Sequence, residues 1–189
     1  MKKLFALLIT VCLVTCACGA PELVGTHIVD IVVKDFGTIT VELNGDAAPK
    51  TVGNFVDLVE SGFYDGLTFH RIMEGFMIQG GDPTGTGMGG PGYSIKGEFA
   101  MNGVNNTLRH TRGVISMARN GYDMNSASSQ FFIMHEDDTR LDGQYAAFGH
   151  VIEGIEVVDA ICEEVRPYDN NGSVHPQMQP VIESITVRK

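Results

Sequence analysis

Between Phe69 and Gln79 the chain places one cation, two large apolar side chains and one amide within eleven residues: Arg71, Phe76, Met77 and Gln79. Gly80-Gly81-Asp82 follows at once. A guanidinium beside an apolar floor, with an amide to fix orientation, suits a neutral, partly apolar ligand that offers a carbonyl to grip. The same residues also describe a core strand with an arginine snorkelling to solvent, and residue types alone leave both readings open. Strict alternation puts Arg71 on one strand face with Phe69. Gly75 is read as a bulge or bend that re-aims Phe76, Met77 and Gln79.

Other chemistries fit less well. Gly85-Thr86-Gly87-Met88-Gly89-Gly90 has the spacing of a dinucleotide fingerprint, but Pro91-Gly92 follows, and no helix can start there to meet a pyrophosphate. The six histidines show no pair at metal-binding spacing. His135-Glu136-Asp137-Asp138 reads as a solvated acidic turn rather than a cation site. No serine sits in a nucleophile elbow, and no carboxylate pair is spaced for acid–base work. The expected site has no nucleophile, metal or cofactor.

The elements that must position these residues are mostly strands. Glycine is abundant at 23 residues and spread without a repeat, which points to many turns and a β-rich fold of one domain. His27 to Lys34 and Thr38 to Leu43 alternate around Asp35-Phe36-Gly37, a hairpin. Pro49, then Val52, Phe55, Val56 and Val59, closed by Gly62, predict a helix. Leu67 to Gln79 reads as paired strands, followed by a glycine-rich loop from Gly80 to Gly92. Gly113 to Arg119 and Gln130 to Met134 read as buried strands, separated by the loop Asn120 to Ser129. Ala146 to Val151 is a further strand. Ile155, Val158, Ile161 and Val165 predict a second helix, and Val181 to Lys189 a last strand. This order predicts a mainly β fold: a closed eight-stranded antiparallel barrel capped by two α-helices.

The N-terminus reads as an export signal. Lys2 and Lys3 precede the apolar run Leu4 to Val14, too short to span a bilayer. Leu13-Val14-Thr15-Cys16-Ala17-Cys18 resembles a bacterial lipoprotein cleavage site, with Cys18 (alternatively Cys16) as the lipidated residue and simple secretion as the fallback. Residues 1–18 are thus a signal peptide, 19–25 a short tether and 26–189 the folded domain. Losing Lys2 and Lys3 takes the net charge from −10 to −12, which argues against nucleic acid or an anionic membrane face as partner. Attachment to a membrane is expected through lipid alone. Cys12, Cys16 and Cys18 lie in the export segment, so Cys162 remains alone and no disulfide framework forms.

Four ordered blocks carry a family resemblance. They are Phe69-His70-Arg71-Ile72 through Gly75-Phe76-Met77-Ile78-Gln79-Gly80-Gly81-Asp82, Gly113 to Ala118, Ser126 to Ile133, and Leu141 to Gly149. Across roughly Thr26 to Lys189 the chain resembles the cyclophilins, peptidyl-prolyl cis/trans isomerases built on an eight-stranded antiparallel barrel with a helix at each open end. The resemblance implies that Arg71 is catalytic and that Phe76, Met77, Phe132 and Leu141 line a proline pocket. It gives Gln79 and Gln130 the substrate backbone, makes Ala118, Arg119 and Asn120 the strand edge along which the peptide lies, and puts His70 and Tyr145 at the pocket border.

Some positions depart from the family pattern. Arg140 stands where many relatives carry a tryptophan that helps bind cyclosporin, so tight inhibition is not expected. Tyr145 replaces a histidine common in eukaryotic members, Arg119-Asn120 replaces Asn-Ala, and Glu74 replaces a frequent proline and is expected to face solvent. The expected protein is a monomeric isomerase outside the cytoplasmic membrane, acting on proline-containing peptides and unfolded exported proteins. The alternative is a proline-peptide-binding chaperone module with little turnover.

Overall fold

A computed structural model describes residues 21–188. The expected signal peptide and both candidate lipidation cysteines lie outside the described residues. No helix among the described residues is long and apolar enough to cross a membrane.

The chain opens with the expected hairpin, β1 (Thr26–Val33) and β2 (Gly37–Asn44), in register from Thr26 opposite Asn44 to Val33 opposite Gly37. Asp35 turns the corner at φ +66°, a backbone that Asp tolerates better than most residues. Helix α1 (Pro49–Glu60) follows, with its proline in the first turn, where no N–H is needed. Its N-terminus is closed by a distant carboxylate: Glu98 accepts from Lys50 N–H at 3.1 Å, and from Thr51 N–H and Oγ1 at 2.7 Å each. Negative charge at a helix N-terminus satisfies orphan donors and the dipole together. Residues 21–25, at the end of the expected tether, lie against this helix and β2. Leu23 packs on the core and donates to Pro49 O.

The remaining elements are β3 (Thr68–Met73), β4 (Met77–Asp82), β5 (Val114–Met117), β6 (Phe131–Met134), β7 (Ala147–Glu153), α2 (Ile155–Glu164) and β8 (Ile182–Val187). All eight strands form one antiparallel sheet in the order β3-β4-β6-β5-β7-β2-β1-β8, with α1 against β2 and β8 and α2 against β2 and β3. The closed barrel expected from the strand count is not what forms; the barrel is open. Among the described residues, the ends of β3 and β8 meet through one bridge, Thr68 to Val181, and three hydrogen bonds, from Phe69 N to Pro180 O, Ile182 N to Leu67 O and Gly66 N to Ile182 O. Pro180 has no N–H to extend a ladder there. Short 3-10 turns at Ala100–Asn102, Thr139–Leu141 and Pro176–Met178 gave no periodic signal.

The curled sheet buries apolar side chains on both faces. The main core holds Phe55, Tyr64, Phe69, Phe131, Ile133 and Phe148, with Phe55 touching three aromatic rings at centroid distances of 5.1–5.5 Å. On the opposite face a smaller cluster forms from Met77, Val114, Phe132, Met134 and Ala147, with Met73, Phe76, Leu141 and Tyr145 packed against it. Burial on both faces is why β5 and β6 read as continuous apolar runs. The second cluster carries the site.

Candidate active site

The register of β3 against β4 explains how Arg71 reaches that second face. Phe69 lies opposite Gly80 and Arg71 opposite Gln79, so His70 is an extra residue in a bulge. A bulge reverses the alternation beyond it. Phe69 and Ile72 therefore both enter the main core, and Arg71 turns away from Phe69 rather than sharing its face. Gly75 does not bulge the strand. It takes φ +76° in the four-residue turn that Phe76 N–H closes onto Met73 O, where any other residue would be strained.

The sheet then aligns the site in a row: Arg71 opposite Gln79, Gln79 opposite Phe132, and Phe132 opposite Ser116. Beside the row is a cup of about 140 Å³ with Phe76, Met77, Phe132, Leu141 and Ala118 as its apolar lining, and Arg71, Gln79, Arg119 and Tyr145 as its polar side. That volume is below the range of drug-sized sites and fits a single small ring.

Arg71 is held on one edge. Its Nε donates to Asn171 O at 2.7 Å, and Nη1 donates to Gln79 Oε1 at 3.3 Å. The other contacts are thioethers, Met73 Sδ at 3.0 Å and Met77 Sδ at 3.9 Å, which are weak acceptors. The guanidinium carbon lies 5.9 Å from the Phe76 ring centroid. Burial pulls the Arg71 pKa down from its ordinary value, opposed by Tyr145 and Asp169, yet an arginine remains charged throughout the neutral range. No described carboxylate forms an ion pair with it, and Glu74 is exposed, as expected. Gln79 passes the orientation on, donating from Nε2 to Gln130 Oε1 at 3.0 Å, and Gln130 in turn donates to Gly89 O at 2.9 Å.

Not every expected residue reaches the cup. Gln130 and Asn120 line a neighbouring groove of about 590 Å³, together with Met88, Tyr93 and the shared residues Gln79, Ala118 and Arg119. Residues 118–120 leave the end of β5 rather than extending it as a strand edge. Ala118 N–H still pairs with Gln130 O at 2.9 Å, but Asn120 is spent on its own loop, its N–H on Ser126 Oγ and its Oδ1 on Tyr122 N–H. Arg119 is clamped between rings, 4.7 Å from the Tyr145 centroid and 5.2 Å from that of Phe99. Arg140 lines a third cavity on the far side of Arg71 and pairs with Asp138.

His70 does not border the cup. It is buried behind the glycine loop, with both ring nitrogens unpartnered, close to Gly87. Burial lowers its pKa, with Asp82 opposing and Arg71 adding to the shift. The bulge that frees Arg71 is what turns this ring inward. A group behind Phe132, formed by His110, Asp142 and Ser116, was missed from sequence because separations of 6 and 32 residues match no motif.

The comparisons with known proteins agree with this geometry. Residues 28–187 match the family model described as cyclophilin type peptidyl-prolyl cis-trans isomerase/CLD. Peptidyl-prolyl cis-trans isomerase B of Bacillus subtilis is 50% identical over 123 residues, covering 65% of this chain and 82% of that protein. Peptidyl-prolyl cis-trans isomerase-like 2 of Cryptococcus neoformans is 44% identical over 158 residues, 82% of this chain but only 26% of the relative, so the chain spans about a quarter of that protein. A Cryptosporidium parvum cyclophilin crystallised in the presence of the dipeptide Ala-Pro superposes with a TM-score of 0.75 at 33% identity, covering 86% of this chain and 99% of that one. With the family model spanning nearly all of the described fold, the chain belongs to the cyclophilin-type peptidyl-prolyl cis-trans isomerase family.

Proposed function

We infer that this chain catalyses cis/trans isomerisation of X-Pro bonds, and the observation that carries the reading is Arg71. It is a guanidinium fixed through Nε, with Nη1 on the side of an apolar cup the size of one small ring. Rotation about an X-Pro bond passes a twisted amide that has lost resonance, behind a barrier of about 20 kcal/mol. No covalent bond is made or broken, so a site without nucleophile or metal suffices. The cup holds the proline ring while the acyl side turns. As the amide twists, its nitrogen lone pair localises, and the Arg71 donors meet that developing charge and the prolyl carbonyl. Gln79 and Gln130 orient the backbone on either side, and the grooves flanking the cup suit an extended peptide. Lowering the barrier by about 7 kcal/mol gives roughly a 10⁵-fold acceleration.

The test is turnover of an Ala-Pro peptide followed by exchange NMR. Enhanced exchange supports an enzyme. Tight binding without exchange would instead favour a proline-peptide-binding chaperone module, the reading that the unusual rim at Arg119, Asn120 and Arg140 would suit.

The wider setting is also proposed. Lys2, Lys3, the apolar run Leu4 to Val14 and the adjoining cysteines support a bacterial lipoprotein, monomeric and extracytoplasmic, anchored through Cys18 (alternatively Cys16) and acting on unfolded exported proteins. Mass spectrometry of the mature N-terminus decides the anchor: a diacylated cysteine is expected, and an unmodified terminus beyond Cys18 rules it out.

A further inference from the structure

Behind the cup lies a polar group that the chemistry above does not use. The His110 backbone N–H donates to Asp142 Oδ1 at 2.7 Å, its Nδ1 lies 3.1 Å from the same oxygen, and its Nε2 lies 3.1 Å from Ser116 Oγ. A carboxylate only accepts, so Nδ1 carries the ring proton, Nε2 offers its lone pair, and the Ser116 hydroxyl donates to it. Such an order of groups could activate a nucleophile if a substrate could reach it. None can, because His110 and Ser116 are both 0% exposed.

A mechanical role remains. The His110 ring stacks on Phe132, with 6.0 Å between centroids and 18° between planes, and Phe132 meets Tyr145 edge-on at 5.9 Å and 84°. The two polar partners are tied to the same wall. Ser116 lies opposite Phe132 in the β5–β6 ladder, and Asp142 follows Leu141, another lining residue of the cup.

We propose that His110 is a positioning residue for the cup: neutral, it seats the Phe132 ring as the back wall, and protonated, it unseats that ring and weakens the grip on proline. The proposal rests on the isomerase reading. Protonation places a hydrogen on Nε2, facing the hydrogen that Ser116 already directs there. The hydroxyl must turn, and in a sealed site its own hydrogen then lacks the acceptor it had.

The charged and titratable groups around the ring set where this happens. Asp142 faces Nδ1 while its other oxygen holds Arg109 at 3.3 Å. Asp138, paired with Arg140, donates its backbone N–H to His110 O, and the Tyr145 phenol ring lies 6.5 Å away. Burial holds the His110 pKa below the ordinary imidazole value, against the pull of Asp142 and Asp138. The switch therefore operates on the acid side of about pH 6.5.

The experiment pairs isomerase kinetics on an Ala-Pro peptide, from about pH 4.5 to 8, with an NMR titration of the His110 ring. In the wild type kcat/KM should fall at least about fivefold on the acid side, chiefly through KM, with a midpoint that coincides with the ring titration. Asp142→Asn removes the charge that favours imidazolium and should move both midpoints to lower pH together. His110→Asn keeps an N–H toward Asp142 but cannot titrate, and should lose the acid limb. The proposal is overturned by a limb that persists in His110→Asn, by a limb that does not move with the ring in Asp142→Asn, or by a ring that stays neutral down to acid unfolding. Should His110→Asn fail to fold, the wild type and Asp142→Asn decide. No turnover at pH 8 would refute the isomerase reading instead, and peptide affinity over the same pH range would then decide the switch.

Discussion

Arg71 Nε donates to the carbonyl of Asn171, a hydrogen bond that spans 100 residues and fixes one edge of the guanidinium while Nη1 is directed at Gln79 and Met77, two residues that line the cup. That carbonyl is presented by a turn folded around Asp169, which accepts from the N–H groups of Asn171 at 3.0 Å and Ser173 at 2.9 Å. Asp169→Ala should relax the turn and lower kcat about three- to tenfold, with little change in the thermal midpoint, because the turn is exposed. Steady-state kinetics beside a melting curve checks it.

The two faces of β6 should separate stability from binding. Ile133 lies in the main core and Phe132 in the cluster that walls the cup. Ile133→Ala should cost about 2–5 kcal/mol in urea unfolding while the folded fraction binds an Ala-Pro peptide normally. Phe132→Ala should cost about 3–5 kcal/mol and also weaken peptide binding. Equal losses of affinity in both variants would mean that the faces are not independent.

Acid should destabilise the fold in two steps. The His70 and His110 pKa values are lowered in the folded protein, chiefly by burial, so the unfolded chain binds protons first. Their contribution is complete above about pH 6.5 and is lost as pH falls toward the depressed folded values. For Asp82, burial acts to raise the carboxyl pKa, but hydrogen bonds from Thr84, Gly89 and Gly87 outweigh it and hold the pKa below the usual range. Its contribution is present above about pH 4 and is lost below that. Urea midpoints measured against pH should fall in both windows; Asp82→Asn should flatten the lower one and, by removing a charge that favours the His70 imidazolium, extend the upper one to lower pH.

Cys162 should be inert. It is buried in α2, and burial, reinforced by Asp159 and Glu74, pushes its thiol pKa up to about 12. Alkylation by iodoacetamide at pH 8 should be negligible in the native protein and rapid in urea. Fast native labelling would show that α2 opens.

Much of this architecture was legible in the chain because it is local. The hairpin around Asp35, the helix begun by Pro49 and the run from Arg71 to Gln79 depend on spacing within a few residues. Features set by long-range pairing were not legible. The bulge at His70 exists only relative to Gly80 and Gln79, so alternation placed Arg71 on the wrong face, and the family resemblance placed His70 at the pocket border. Beyond one bridge to Val181, the edge of β3 is taken by residues 172–174 rather than by β8, so the barrel stays open where strand counting suggested closure. Arg119 and Asn120 do line the groove beside the cup, but the Tyr145 ring over one and the loop contacts of the other join segments that local spacing does not connect. The His110 group joins three segments that no local pattern connects.

The most direct test is the rate of cis/trans exchange in an Ala-Pro peptide with wild type and Arg71→Ala. The variant should keep the wild-type circular dichroism spectrum and peptide affinity within a few-fold, while kcat/KM falls about 10²-fold or more, the loss expected for removing a donor aimed at developing charge. A folded Arg71→Ala protein that accelerates exchange as well as the wild type would contradict the account.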